Sequence, residues 1–292
     1  ILNTKPWYAY GLEKPSSGNY DYQWRHYVTT NIYVVQDAVS STGFQIFVQD
    51  TRHPLPMDSI TGYIHRELNI TSFYKKLHQY IPLHIDKDIP MSIVKQIQYK
   101  IRRAGISKIL YSTKLTGSNY PDYHSSFDNS GLTQYLPEIY PDFVWKLDSV
   151  EQLDPDKIDL KIHSAPYYPI LYFINDSTPR LHFNVNNKGI FIEGKLNNST
   201  TAEKSIRNFI IKNAPDYYII FNTSDDLSFE NYIRAYNLLK KQIHDLRTEM
   251  KLELCGSEEN YNCIYQIETL LEEHYPDAII QWTDEEVRLA RL

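Results

Sequence analysis

The chain is poor in cysteine, methionine and glycine, with 2, 3 and 10 of them in 292 residues. Two thiols cannot build a four-ligand structural zinc site, and the spacing of Cys255 and Cys263 is not C-x-x-C. Basic charge is also in deficit, with 30 Lys and Arg against 36 Asp and Glu. The resulting net charge of -6 argues against a nucleic-acid binder, which needs a basic face to neutralise phosphates. No apolar run approaches about eighteen residues, so no segment reads as bilayer-spanning. Catalytic signatures are missing too: there is no G-x-S-x-G, H-E-x-x-H or G-x-G-x-x-G. The nearest nucleotide motif, Gly189-x-x-x-x-Gly194-Lys195, is followed by Leu196 instead of Ser or Thr, and its interior reads as strand. Asp154-x-Asp156-x-x-Asp159 lacks the glycine and glutamate of a calcium loop, and reads as a solvated turn. His163 and His182 lie near predicted strands, where structural histidines are the commoner case. No enzyme, cofactor or metal is expected, although a hydrolase assembled without any local motif stays as an alternative.

What is present is ordinary globular material, 42% hydrophobic and 23% charged, in a length that suits two domains. Tyrosine is the outlier at 25 residues. With Trp7, Trp24, Trp145 and Trp282 it could serve a glycan-binding surface, or it could fill strands and cores with one wet end. Cys255 and Cys263 flank a polar loop and pair if the compartment is oxidising; in a reducing one they stay as thiols. The chain begins at Ile1, so a fragment or processed product is expected. Asn69-Ile70-Thr71, Asn175-Asp176-Ser177 and Asn222-Thr223-Ser224 fit the glycosylation acceptor pattern.

The organising stretch is Pro82-Leu83-His84-Ile85-Asp86-Lys87-Asp88-Ile89-Pro90-Met91, together with the amphipathic run from Ser92 to Arg103 that carries Ile93, Val94, Ile97 and Ile101. Pro90 suits a helix's first turn, where its missing N–H has no partner to lose. Asp86 and Asp88 stand at the positive end of the helix dipole, and Arg102 and Arg103 at the negative end. Gly105 sits where a left-handed cap is needed. Around this unit, 31–39 and 44–49 read as strands, 57–67 and 71–80 as helices, and Ile109 as a further strand. The first domain is therefore expected as β-β-α-β-α-β over 31–113, after an extended lead-in at 1–30. Residues 114–168, including the loop-like Ser125–Gly131 stretch, read as a linker or insertion.

From 169 to 292 the pattern returns. Leu181, Phe183 and Val185 alternate with polar residues, and Asn186-Asn187-Lys188-Gly189 turns the chain into a hairpin partner at 190–193. Residues 201–211 read as helix and 217–221 as strand. Asn222–Ser228 then turns into a long helix whose apolar stripe runs from Phe229 through Tyr232, Tyr236 and Leu239 to Met250. Shifted by 138 positions, Asp88-Ile89-Pro90-Met91 falls on Asp226-Leu227-Ser228-Phe229, an internal repeat with serine in place of proline.

The Asp86-Lys87-Asp88-Ile89-Pro90 turn, its helix and Ala104-Gly105-Ile106 resemble the periplasmic domain of the ExbD/TolR family. The second half resembles ExbD-type proteins of Bacteroidota through Asn187-Lys188-Gly189-Ile190-Phe191-Ile192-Glu193-Gly194-Lys195-Leu196, Tyr236-Asn237-Leu238-Leu239 and Leu246-Arg247-Thr248-Glu249. The resemblance implies an α+β chain of two tandem domains, each a small mixed sheet packed against two helices. It implies a periplasmic location, tethered to the inner membrane by an N-terminal helix absent from this sequence. It also implies a docking role in a proton-motive-force-driven, TonB-dependent transport complex. The implied partners are an ExbB-like channel subunit and a TonB-like protein, with a homodimer using the Phe229–Met250 stripe if it is left bare. Expected contact residues are Asp86, Lys87 and Asp88 in the first turn, Asp225 and Asp226 in the second, and Tyr232 and Tyr236 on the long helix. For the first turn, helix capping is the competing structural role.

Overall fold

The computed structural model describes residues 30–40, 42–48, 53–69, 80–106, 108–115, 130–135, 177–256 and 261–281, with short pieces at 12, 14, 16–17, 21–22 and 51. The fold is α+β. In chain order the strands are β1 (Ser16–Ser17), β2 (Asp21–Tyr22), β3 (Ile32–Gln36), β4 (Phe44–Val48), β5 (Ile81–Ile85), β6 (Lys108–Ser112), β7 (Lys114–Leu115), β8 (Ser130–Tyr135), β9 (Arg180–Asn186), β10 (Gly189–Ile192), β11 (Lys195–Asn197), β12 (Tyr218–Thr223) and β13 (Ile279–Ile280). The α-helices are α1 (Ile60–Asn69), α2 (Met91–Arg103), α3 (Ser199–Asn213), α4 (Phe229–Cys255) and α5 (Tyr261–His274).

The first sheet runs β2-β8-β6-β5-β3-β4 and the second β11-β10-β9-β12-β13, while β1 pairs with β7 alone. In each sheet an antiparallel hairpin (β3/β4, β9/β10) is followed by two parallel neighbours (β5 then β6, β12 then β13). The connecting helices fall in the same gaps: α1 and α2 in the first unit, α3 and then α4–α5 in the second. Four strands of each sheet thus share one order and sense, while β8 and β2 extend only the first sheet and β11 only the second. The expected β-β-α-β-α-β order is what the first unit has.

Local chemistry explains the elements. Every residue of β5 is buried, as a central strand with parallel neighbours and both faces covered requires. α2 begins at Pro90 and buries Met91, Val94, Ile97 and Ile101 on one face. It ends where Gly105 takes φ +81°, a conformation that costs glycine little. α4 opens on Ser228, whose Oγ accepts the Asn231 N–H, and stops at Gly256 with φ +73°.

Several sequence expectations need correction. Residues 130–135 are not linker: they form β8, antiparallel to β6 inside the first sheet. Part of the extended lead-in belongs to the fold, since Asp21–Tyr22 pairs with β8 at the sheet edge. Lys195–Asn197, not anticipated as strand, is β11. The two units share one continuous apolar cluster, from Ile32 and Val34 through to Ile279 and Ile280, instead of holding separate cores. Residues 71–79 of the expected helix lie outside the described residues, as do the Asp154–Asp159 turn, His163 and all four tryptophans.

Candidate functional site

The two turns singled out in the sequence meet in space. Pro90 and Ser228 form an antiparallel β-bridge. Around it Met91 N donates to Leu227 O at 2.8 Å and Phe229 N to Ile89 O at 2.8 Å. One residue further out, Ser92 N donates to Asp225 O at 2.9 Å and Glu230 N to Lys87 O at 2.8 Å. The 138-residue shift maps each bond of a pair onto the other, so the contact has local two-fold character. The first N–H groups of a helix have no partner within it. Here each helix start finds acceptors in the turn of the other unit. Two positive helix ends face each other, and Asp88, Asp225 and Asp226 stand exposed around them, where carboxylates offset that field.

Side chains reinforce the junction. Lys95 Nζ on α2 reaches Thr223 O at 2.6 Å and Asp225 Oδ1 at 2.7 Å. Asn187 Nδ2 at the β9–β10 turn donates to Asp226 Oδ2 at 2.6 Å. The Asp226 carboxyl is held below its ordinary range, chiefly by the neighbouring Ser224 hydroxyl. An open groove of about 330 Å³ runs beside the paired turns, lined by Ser92, Lys95, Gln96, Tyr99, Lys100 and Asp225. Its two lysines are already engaged, Lys95 with Asp225 and Lys100 with Asp58 at 2.6 Å.

Behind the turns lies a buried, uncharged network joining both units. The first unit contributes Gln98, Tyr111 and Gln134, the second Tyr232 and Gln281. Gln98 Nε2 donates to the Tyr111 hydroxyl and to Gln281 Oε1 at 3.1 Å. Tyr111 and Tyr232 both donate to Gln134 Oε1, the latter at 2.8 Å, and Gln134 Nε2 donates to Gln281 Oε1 at 2.8 Å. Burial pushes both phenols above their ordinary range, so they stay neutral donors. The Tyr111 ring also meets Phe229 and Tyr232 edge-on, with centroids 5.4 and 5.6 Å apart.

The expected contact residues therefore divide. Asp88, Asp225 and Asp226 are exposed and Lys87 half-buried, all at the paired turns. Asp86 is buried at 6% exposure, and its Oδ1 accepts the Asp88 N–H at 3.4 Å within the turn; no side chain caps the start of α2. Tyr232 and Tyr236 are corrected from surface to core: they are 0% and 3% exposed and stack on Phe221. From Phe229 to Leu246 the apolar stripe is buried inside the chain, so it is not the bare dimer surface anticipated. Cys255 and Cys263 are joined by a disulfide that ties the end of α4 to α5. Gln98, Gln134 and Gln281 had no sequence signal, being single polar residues far apart in the chain.

The sheet edges complete the picture. The outer edge of β4 is covered where Leu55 N donates to Ile46 O at 2.7 Å and Thr51 N to Val48 O at 3.0 Å. β11 ends the second sheet with Lys195 and Leu196 exposed, Leu196 to 63%. Among the described residues no His, Cys, Asp or Glu side chains gather as a metal-ligand set, and no helix is long and apolar enough to cross a membrane. Comparison with protein-family models, with characterised proteins and with solved structures finds no match.

Proposed function

We propose that the chain is the periplasmic part of an ExbD-type subunit of a proton-motive-force-driven energy-transduction complex, acting by docking and not by chemistry. Its partners on this reading are an ExbB-like channel subunit and an extended segment of a TonB-like protein. The observation that carries the proposal is the β11 edge, a short terminal strand presenting Lys195 and an exposed Leu196. An extended segment laid along it gains main-chain hydrogen bonds, while residues opposite Leu196 and Lys195 supply selectivity on the two faces. An apolar residue beside Leu196 and an acidic one beside Lys195 are the complementary chemistry. The two mixed sheets, each with helices between its parallel strands, support the same reading, because a mixed sheet packed against helices is what the resemblance implies.

The test is titration of the full chain with the periplasmic segment of a TonB-like protein, beside a pull-down with the channel subunit. Binding is expected, with Leu196→Glu weakening the segment about tenfold, since covering a leucine contributes about 1.5–3 kcal/mol. Retention of neither partner by the unaltered chain, or equal binding by Leu196→Glu, would sink the proposal.

A further inference from the structure

We propose that the two units form a fused pseudo-dimer, held by a self-complementary interface whose partner is a unit of the same topology. On this view the covalent connection between β8 and β9 becomes dispensable once the chain has folded. The inference stands apart from the docking proposal.

Three independent features carry it. The first is the reciprocal set of backbone bonds: Met91 to Leu227 answers Phe229 to Ile89, and Ser92 to Asp225 answers Glu230 to Lys87. An interface built by two-fold repetition has that signature, since a residue contacting its partner implies the reverse contact. The second is the polar network, in which Gln134 Oε1 takes one hydroxyl from each unit and Gln281 Oε1 two amides across the junction, from Gln98 and Gln134. A buried uncharged network of this kind fixes register, because sliding one unit orphans several polar groups together. The third is the apolar cluster running unbroken across the junction, with Phe229 against Tyr111 and both fully buried. These are the parts of an obligate interface: an apolar centre, polar groups bonded across the junction and reciprocal main-chain bonds. Because the chain supplies both halves of this surface itself, the surface is already occupied within a single chain.

The experiment inserts a site-specific protease sequence near residue 150 of the full chain, folds it, cleaves it and follows the mass by size exclusion with light scattering. The expected product is one particle of unchanged mass and circular dichroism, whose urea midpoint now rises with protein concentration. Fragments that part in native buffer, or a midpoint indifferent to concentration after cleavage, overturn the proposal. Ser92→Pro in the cleaved protein removes one cross-unit donor in a first helical turn, where proline is tolerated. It should weaken fragment association about three- to tenfold. Thr200→Pro, at the same position of α3, carries the same local cost without a cross-unit bond and should leave association unchanged; equal effects of the two count against the interface. If the inserted sequence prevents folding, hydrogen exchange on the unaltered chain decides. The Met91, Ser92, Phe229 and Glu230 amides should exchange together and only on global unfolding. Fast exchange of these four beside protected helices overturns the interface.

Discussion

Removing the two phenolic hydroxyls of the buried network should cost far more together than separately. Tyr232→Phe keeps the ring stacked on Phe221 and deletes only a hydroxyl that donates to Gln134 Oε1 at 2.8 Å. Gln134 Oε1 still accepts from Tyr111, so the loss is that of one hydrogen bond, about 1 kcal/mol. Tyr111→Phe is its mirror image: Gln134 keeps Tyr232, and Gln98 Nε2 still reaches Gln281 Oε1 at 3.1 Å. In the double variant Gln134 Oε1 is left with only Gln98 Nε2, at 3.4 Å. A buried acceptor so poorly served adds a desolvation penalty of about 1–3 kcal/mol. The double variant should thus lose about 3–5 kcal/mol where simple addition gives about 2 kcal/mol. Urea unfolding followed by circular dichroism measures all four corners of the cycle. Additivity within about 0.5 kcal/mol would falsify the claim that both units rely on the same acceptor.

Acid should loosen the far end of the second unit. Burial alone raises the Asp277 carboxyl, but Lys240 at 2.9 Å and Arg247 at 3.8 Å outweigh it and hold it below its ordinary range. A carboxyl depressed on folding stabilises the protein above its unfolded value of about 3.9, and that contribution is lost as pH falls through the folded value. The urea midpoint should fall as pH drops below about 4, and less steeply in Asp277→Asn; parallel curves would refute this assignment. At the alkaline end, burial raises the Tyr80 phenol to about 12. Its contribution is complete below about pH 10 and is lost as pH rises toward the folded value, which phenolate absorbance can follow in Tyr80→Phe against the parent. Reducing Cys255–Cys263 opens a loop of sequence separation 8. The chain-entropy relation gives a loss of about 2–3 kcal/mol, visible as a lower urea midpoint in reductant and reproduced by Cys263→Ser.

Much of this was legible in the sequence because the decisive signals were local. Pro90, the 3.6-residue spacing of Met91, Val94, Ile97 and Ile101, and the Gly105 stop define α2 without reference to anything distant. The Asn187-Lys188 turn likewise defines its hairpin. What escaped was set by tertiary neighbours. Ser130–Tyr135 has the composition of a loop and becomes a strand because β6 offers an open antiparallel edge. Gln134 reads as a surface residue and is 0% exposed, because its amide is satisfied by Tyr111, Tyr232 and Gln281 from remote parts of the chain. The stripe on α4 announced burial, but periodicity does not say against what. Tyr232 and Tyr236 therefore read as partner contacts, and their partner is the chain itself.

One departure between the repeats, proline at 90 against serine at 228, is explained by the bridge that joins them. The cross-unit bonds run from Met91 N and Phe229 N to Leu227 O and Ile89 O, flanking the Pro90–Ser228 pair. The bridging residues themselves therefore form the non-hydrogen-bonded pair of an antiparallel ladder, and neither needs its N–H there. Proline is allowed at 90 for that reason, and the same geometry predicts that it is allowed at 228. Ser228→Pro should remove only the side-chain cap, which holds the Asn231 N–H at 3.4 Å, and cost about 0.5–1 kcal/mol. Thermal unfolding of the variant against Ser228→Ala separates the cap from the backbone: the two should melt within a few degrees of each other. A loss beyond about 3 kcal/mol for proline alone would mean that the Ser228 N–H is needed after all, and that the bridge does not have this geometry.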